Sequence, residues 1–450
     1  MVIADRPPNP AHRPVPTLPI SGVPADTVDL PSVAVRFCRY ARVHTTSDPA
    51  SETVPSTAHQ LDLCRMLVEE LHAIGVRDAE MDVSGVVYAT VPGTAPDAPV
   101  VALCAHVDTS PDAPGQGVRP LVHTAWDGRP FALPGDPSVV FDPALDADLG
   151  VHLGHDLITS DGTTLLGSDD KAGVAVIVQL AADLLAADAA AQAAGRTPLP
   201  RPTLRLLFTP DEEIGRGADP VSLDRLGAQV AYTLDGSGTD RLNAETFNAA
   251  EAVVAITGVG VHPGYARGIL VNALRVAAHV VAALPADEAP ETTDRADGFF
   301  HPHALTGDAE HAEIRVLLRD FTDAGLERRR ALVRDAAARA QAAFPGSVVR
   351  VDITESYRNM RTYIDAVDPR AVSAALDAAR AVGIEMTLEA VRGGTDGARL
   401  SERGLPTPNV FTGGHRFHSR WEWNTVQNLE RSLAYTHALV RVWASEPRRT

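Results

Sequence analysis

Lysine is almost missing from this chain: of its 40 basic residues, every one except Lys171 is arginine. Cysteine is scarce as well. Cys38, Cys64 and Cys104 are odd in number, widely spaced and without a C-x-x-C pair. That excludes a disulfide framework or a thiolate metal site and points to a reducing compartment. No run of 18 apolar residues occurs, and the opening M-V-I-A-D-R-P-P-N-P lacks the basic and apolar regions of a secretion signal. The expectation is therefore a cytoplasmic protein with no membrane partner. No stripe of basic residues exists either: 40 basic against 58 acidic residues leave a net charge of −18, which argues against nucleic acid as a partner.

What remains is ordinary for a globular chain, with 45% hydrophobic and 22% charged residues over 450 positions, enough for two domains. Residues 7–31 are rich in proline and poor in periodic apolar positions, so 1–31 is expected to be a disordered tail outside the fold. Across 32–248, apolar runs of strand length (99–105, 204–208, 229–234) alternate with helical stretches such as 171–187. This predicts an α/β domain around a mostly parallel central sheet. Residues 249–356 read as strand, helix, strand, helix, strand, a smaller α+β lid. Alternation resumes over 357–450, so the lid interrupts the larger domain.

Four apolar runs lead directly into acidic or histidine residues: His106 and Asp108, Asp169 and Asp170, Glu212 and Glu213, and Asp235. Strand ends in an open α/β sheet line the binding crevice, so these residues should converge. Carboxylates with imidazoles and no thiolates favour a pair of hydrolytic Zn²⁺ ions or a related divalent metal. His106 and Asp108 share one strand face, which lets Asp108 orient the imidazole from behind; a hydrogen-bonded histidine at a strand end fits the same pattern. Asp169 and Asp170 precede an apolar helix face at Ile177, Leu180, Leu184 and Leu185, where helix capping also suits them. Adjacent Glu212 and Glu213 cannot share one role, so one binds metal and the other serves as general base on a bridging water, unless both form a solvated turn. The single lysine beside the Asp pair suggests a place where a compact ammonium is needed. His152, His155, His301 and His303 lack nearby strand-end acids, and Gly258, Gly260 and Gly264 lack the dinucleotide-binding spacing.

The strings S-D-P-A-S at 47–51, A-H-V-D-T-S-P-D at 105–112, T-L-L-G-S-D-D-K-A-G at 164–173, F-T-P-D-E-E-I-G at 208–215, V-H-P-G at 261–264, Y-R-N-M-R at 357–361 and R-G-G-T-D-G-A at 392–398 carry a resemblance. From about Val33 to its end the chain resembles the peptidase T family, the tripeptide aminopeptidases among the M20 zinc metallopeptidases. The resemblance implies a catalytic zinc-peptidase domain interrupted by a lid that supports a homodimer. It also implies two Zn²⁺ per subunit, with Co²⁺ or Mn²⁺ as alternatives, and short peptides with a free N-terminus as substrates. Asp169 would bridge the metals through a cis peptide to Asp170. His106 and Asp235 would complete one metal, and Glu213 and His418 the other. Glu212 would be the general base, Asp108 the partner of His106, and His262 a lid residue approaching the reacting carbonyl from its own or a neighbouring subunit. Arg319 and Arg392 would anchor the substrate carboxylate. His418 is preferred to His415 because a glutamate follows it four residues later; Trp421 departs from the family's polar residue. Rival readings are another amidohydrolase of this family (deacylase, carboxypeptidase or dipeptidase) and a dead binding module, which would have lost a ligand or the Glu pair.

Overall fold

The computed structural model describes residues 18–448. Its larger domain is built on an eight-stranded sheet. The middle of that sheet is parallel: Asn409–Phe411, Val230–Gly236, Val101–His106 and Leu204–Thr209 lie side by side in one direction. Antiparallel pairs occur toward both edges, at Val87–Val91 and at Arg241–Thr246. The Val101–His106 strand is buried at every position, as a strand covered on both faces must be. Helix Ser168–Ala193 covers one face together with Ser32–Ala41 and Val426–Ser445. That helix is long and apolar enough to cross a membrane, yet every residue from Ser168 to Ala181 is buried inside the protein.

The glycine of D-D-K-A-G has a packing reason. A Cβ on Gly173 would lie 2.1 Å from the Leu234 carbonyl oxygen, so only glycine lets the helix start this close to the strand that ends in Asp235. Sequence and backbone thereby bring Asp169 and Asp235 to one place.

The interrupting unit is a four-stranded antiparallel sheet in the order Phe299–Gly307, His311–Asp320, Asn248–Thr257, Val348–Tyr357. Helices Ala273–Ala282 and Asp323–Ala343 close its core over Val254, Ile314, Val316 and Leu318. It holds one strand more than the sequence pattern predicts, Phe299–Gly307, and this strand carries His301 and His303.

The expectation of a tail over 1–31 fails where it can be examined. Residues 1–17 lie outside the described residues, but Val23–Pro24 pairs antiparallel with Leu121–His123 at the edge of a second sheet completed by Leu157–Thr159 and Trp423–Thr425. A proline is tolerated there because an edge strand needs no second set of backbone donors. Ala25 is buried, and His123 clamps the segment, with Nδ1 3.0 Å from Ser21 Oγ and Nε2 2.9 Å from Thr159 Oγ1.

Burial pulls the His123 imidazole from its ordinary 6.5 down to about 3, so it is neutral in the fold and takes a proton only in the unfolded chain. Its contribution to stability is therefore present above pH 6.5 and lost as pH falls toward about 3. Unfolding temperature is expected to fall more steeply with acid in the native protein than in a His123→Gln variant, over the window from pH 6.5 downward; parallel slopes would contradict this role.

Candidate metal centre

Five of the candidate ligands meet at the ends of the parallel strands. His106 closes its strand, Asp169 opens the long helix, Glu213 sits in the short helical turn Glu212–Ile214 after the Leu204–Thr209 strand, and Asp235 lies near the end of Val230–Gly236. His418 comes from the loop between Asn409–Phe411 and Trp423–Thr425, with a left-handed φ of 61°. Asp169 is the hinge of the arrangement. Its Oδ1 lies 2.9 Å from His106 Nε2, and its Oδ2 lies 3.2 Å from His418 Nε2. On the first side Asp235 Oδ1 is 3.6 Å from the same His106 nitrogen; on the second, Glu213 Oε2 is 2.8 Å from His418 Nε2. The peptide between Asp169 and Asp170 is cis.

Asp108 supports both the histidine and the glutamate pair. Its backbone carbonyl oxygen lies 3.1 Å and its Oδ1 3.4 Å from His106 Nδ1, and its two carboxylate oxygens accept hydrogen bonds from the backbone N–H groups of Glu212 (3.0 Å) and Glu213 (3.2 Å). Asp112, from the same loop, places Oδ2 3.3 Å from His418 Nδ1. Each imidazole thus presents Nε2 to the centre and keeps Nδ1 for an aspartate, the usual way a ligating ring is oriented. Asp170 is committed elsewhere, accepting from the backbone N–H groups of His106 and Gly173. Glu212 Oε1 accepts from the Asp396 backbone N–H at 3.2 Å, and the neighbouring Asp211 accepts from the Ser56 backbone N–H (2.6 Å) and Gln60 Nε2 (2.7 Å).

The electrostatics show a site crowded with negative charge. Burial and Asp169 push Glu213 up to about 8 and Asp235 up to about 7. Burial, with Asp235, holds Glu212 well above the carboxylate range. Burial opposes charge on His106, but Asp108, Asp169 and Asp235 outweigh it and raise the imidazole well above its ordinary value. Contacts with Asp169 and Glu213 lift His418 to about 11. Asp169 alone goes the other way, held low against its burial by the two imidazoles. Protons are retained where cations belong.

The donor set suits a pair of divalent ions: two imidazoles and three carboxylates, with no thiolate. Glu213 Oε1 is buried without any hydrogen-bond partner, as a ligand atom awaiting an ion would be. His106, Asp169 and Glu213 have ligand atoms within 4.8 Å of one another.

Other candidates sit elsewhere. His415 is stacked on Trp423 with ring centroids 4.0 Å apart, and His152 bonds Asn428 and the Asp148 carbonyl. His303 pairs with Glu251 at 3.0 Å on the lid sheet. His262 stands exposed on the lid, its Nδ1 accepting from Gly264 N–H and its ring beside Tyr265. Arg319 and Arg392 both line a cavity of about 530 Å³ that also touches Glu212, Glu213 and His418. Arg319 is stacked against Tyr357 at 5.5 Å. Arg392 donates to the carbonyls of Arg295 (3.0 Å) and Asp297 (2.9 Å) and to Thr293 Oγ1 (2.9 Å), so its guanidinium also braces the lid against the larger domain. Trp421 faces a separate cavity of about 200 Å³ with Phe141 and Leu145. The lone lysine is fully buried, with Nζ 2.7 Å from the Val43 carbonyl, and burial draws it down to about 7.

Sequence reasoning misses Asp396, whose Oδ2 accepts from Thr209 Oγ1 at 2.9 Å, and gives no role to Glu422. The acidic residue inside R-G-G-T-D-G was the available signal for the first, and the four-residue spacing from His418 for the second.

For an ion to bind at neutral pH, His418 and Glu213 must release protons. Calorimetric titration with Zn²⁺ at pH 7 in two buffers of different ionisation heat is expected to show proton release; heats that agree between buffers would contradict the crowded-charge description.

The model of peptidase family M20/M25/M40 matches residues 167–442. A protein called peptidase T from Geobacillus kaustophilus (strain HTA426) is 40% identical over 409 residues, covering 91% of this chain and 97% of that protein. Peptidase T of Bacillus subtilis (strain 168) is 40% identical over 88% of this chain and 95% of its own length. Among solved structures, aminopeptidase PepT from Bacillus cereus ATCC 10987 shares the fold with a TM-score of 0.70 at 21% identity, over 92% of this chain and 98% of that one. A dinuclear metal-binding M20 peptidase from Bacillus subtilis follows with a TM-score of 0.58 at 16% identity, over 91% and 97%.

Proposed function

The chain belongs to peptidase family M20/M25/M40 as a peptidase T-type hydrolase of peptide bonds, and from that premise we propose that it releases the N-terminal residue from tripeptides with the help of two Zn²⁺ ions. The observation that carries this reading is Asp169, whose two oxygens address two separate sets of donors, one with His106 and Asp235 and one with His418 and Glu213. Zn²⁺, or Co²⁺ or Mn²⁺ on the same donors, would supply Lewis acidity and a water acidified toward neutrality.

The chain's own groups do the rest. Glu212 lies next to the ligand Glu213, is not itself spent on an imidazole, and is kept proton-seeking by burial and Asp235. It takes a proton from the attacking water and gives it to the departing amine. The Asp396 backbone N–H fixes one of its oxygens in place. The cavity of about 530 Å³ suits a short peptide, since three extended residues span roughly 10 Å. Arg319 on the lid strand offers a positive charge to a terminal carboxylate. His262, exposed on the lid, enters this scheme from a second copy, and a homodimer paired through the lid is part of the proposal. Free, buried Cys38, Cys64 and Cys104 support a reducing, cytoplasmic setting.

One unblocked tripeptide, its dipeptide and its N-acetylated form, each with and without chelator, test the reading. Chelator-sensitive release of the first residue from the free tripeptide alone is expected, and cleavage of the acetylated peptide would move the enzyme to the deacylase or carboxypeptidase class. Glu212→Gln should lose roughly 10²- to 10⁴-fold in kcat with its metal content intact. Wild-type turnover in that variant would remove Glu212 as the base.

A further inference from the structure

Four of the five ligands stand on one scaffold. His106, Glu213 and Asp235 follow neighbouring strands of the large sheet, and Asp169 opens the helix packed on that sheet. His418 does not. Its loop leaves the large sheet after Asn409–Phe411, where Thr412 N–H bonds the Gly236 carbonyl at 2.7 Å and Gly238 N–H the Gly414 carbonyl at 3.1 Å, and enters the second sheet at Trp423–Thr425, so His418 itself stands in the stretch between the two sheets.

Glu422 spans that gap. Its carboxylate is fully buried and accepts three backbone hydrogen bonds from the turn that presents Asp169: Oε2 from Leu166 N–H and Gly167 N–H, both 2.8 Å, and Oε1 from Asp169 N–H at 2.9 Å. The bonds connect positions 253 to 256 residues apart in sequence. They join the residue four places after His418 to the residue that faces His418 across the centre. The three bonds converge on one buried carboxyl group and so fix the turn from a single point. A single further tie between the segments, Asn424 Nδ2 to Ser168 Oγ at 2.9 Å, joins neutral groups.

We propose that Glu422 is a positioning residue for one half of the metal centre: by clasping the Leu166–Asp169 turn it registers His418 against Asp169 and Glu213, and the affinity of that half, but not of the half formed by His106 and Asp235, depends on it. The inference rests on the two-ion reading above. It predicts an asymmetry that general loss of folding would not produce.

The test is stepwise Zn²⁺ affinity by chelator competition, with thermal unfolding of the metal-free protein, in wild type, Glu422→Gln, His418→Ala and the double variant. Glu422→Gln keeps the shape and one acceptor oxygen, so it remains informative even where Glu422→Ala fails to fold. One ion should bind as in wild type and the other roughly 10- to 100-fold more weakly, the range typical of lost support behind a ligand. Adding Glu422→Gln to His418→Ala should then cost little more, because both act on the same ion. Equal weakening of both ions, or of neither, overturns the proposal. A wild-type protein that binds no pair of ions would instead sink the two-ion reading, and that failure appears before any variant is made.

Discussion

The whole centre turns on one carboxylate that serves two directions. Asp169 faces His106 with one oxygen and His418 with the other, and its surroundings meet it from several sides. Glu422 holds its N–H, Gly173 lets the helix behind it press against the Asp235 strand, and Lys171 lies buried beneath. Burial at such a site raises the cost of each uncompensated charge. The protein answers by stacking carboxylates around two imidazoles and leaving the remaining imbalance for cations to correct.

Much of this was legible in the sequence, for a physical reason. Parallel strands covered on both faces are continuous apolar runs, so the polar residues that end them stand out, and His106, Glu212, Glu213 and Asp235 were visible in that way, whereas the apolar run before Asp169 is not a strand and Asp169 opens a helix. His418 was visible only through family likeness, because spacing alone cannot separate it from His415. The structure separates them by surroundings: His415 is packed on the Trp423 ring, while His418 reaches Glu213.

What stayed hidden has short strands or broken patterns. Val23–Pro24, Leu121–His123, Leu157–Thr159 and Trp423–Thr425 are two or three residues long, too short for alternation to register, and they find one another only across long stretches of chain. The extra lid strand contains Pro302, which weakens any strand assignment, and it survives because it lies at an edge and shifts register between Pro302 and Ala304. Hydrogen bonds such as those of Glu422 and Asp396 depend on contacts that no local pattern encodes.

The order in which the chain supplies its ligands has an effect on its life in the cell. His106, Asp169, Glu213 and Asp235 all precede the lid, whereas His418 follows it. A nascent or truncated polypeptide ending inside the lid would own one arm of the centre and lack the other, and it would lack the terminal helix Val426–Ser445 that covers the core. Domains emerge from the ribosome in sequence order, so the second arm of the centre is supplied only after the lid has been made. A hydrolase arranged in this way has half a centre until the chain has passed its lid.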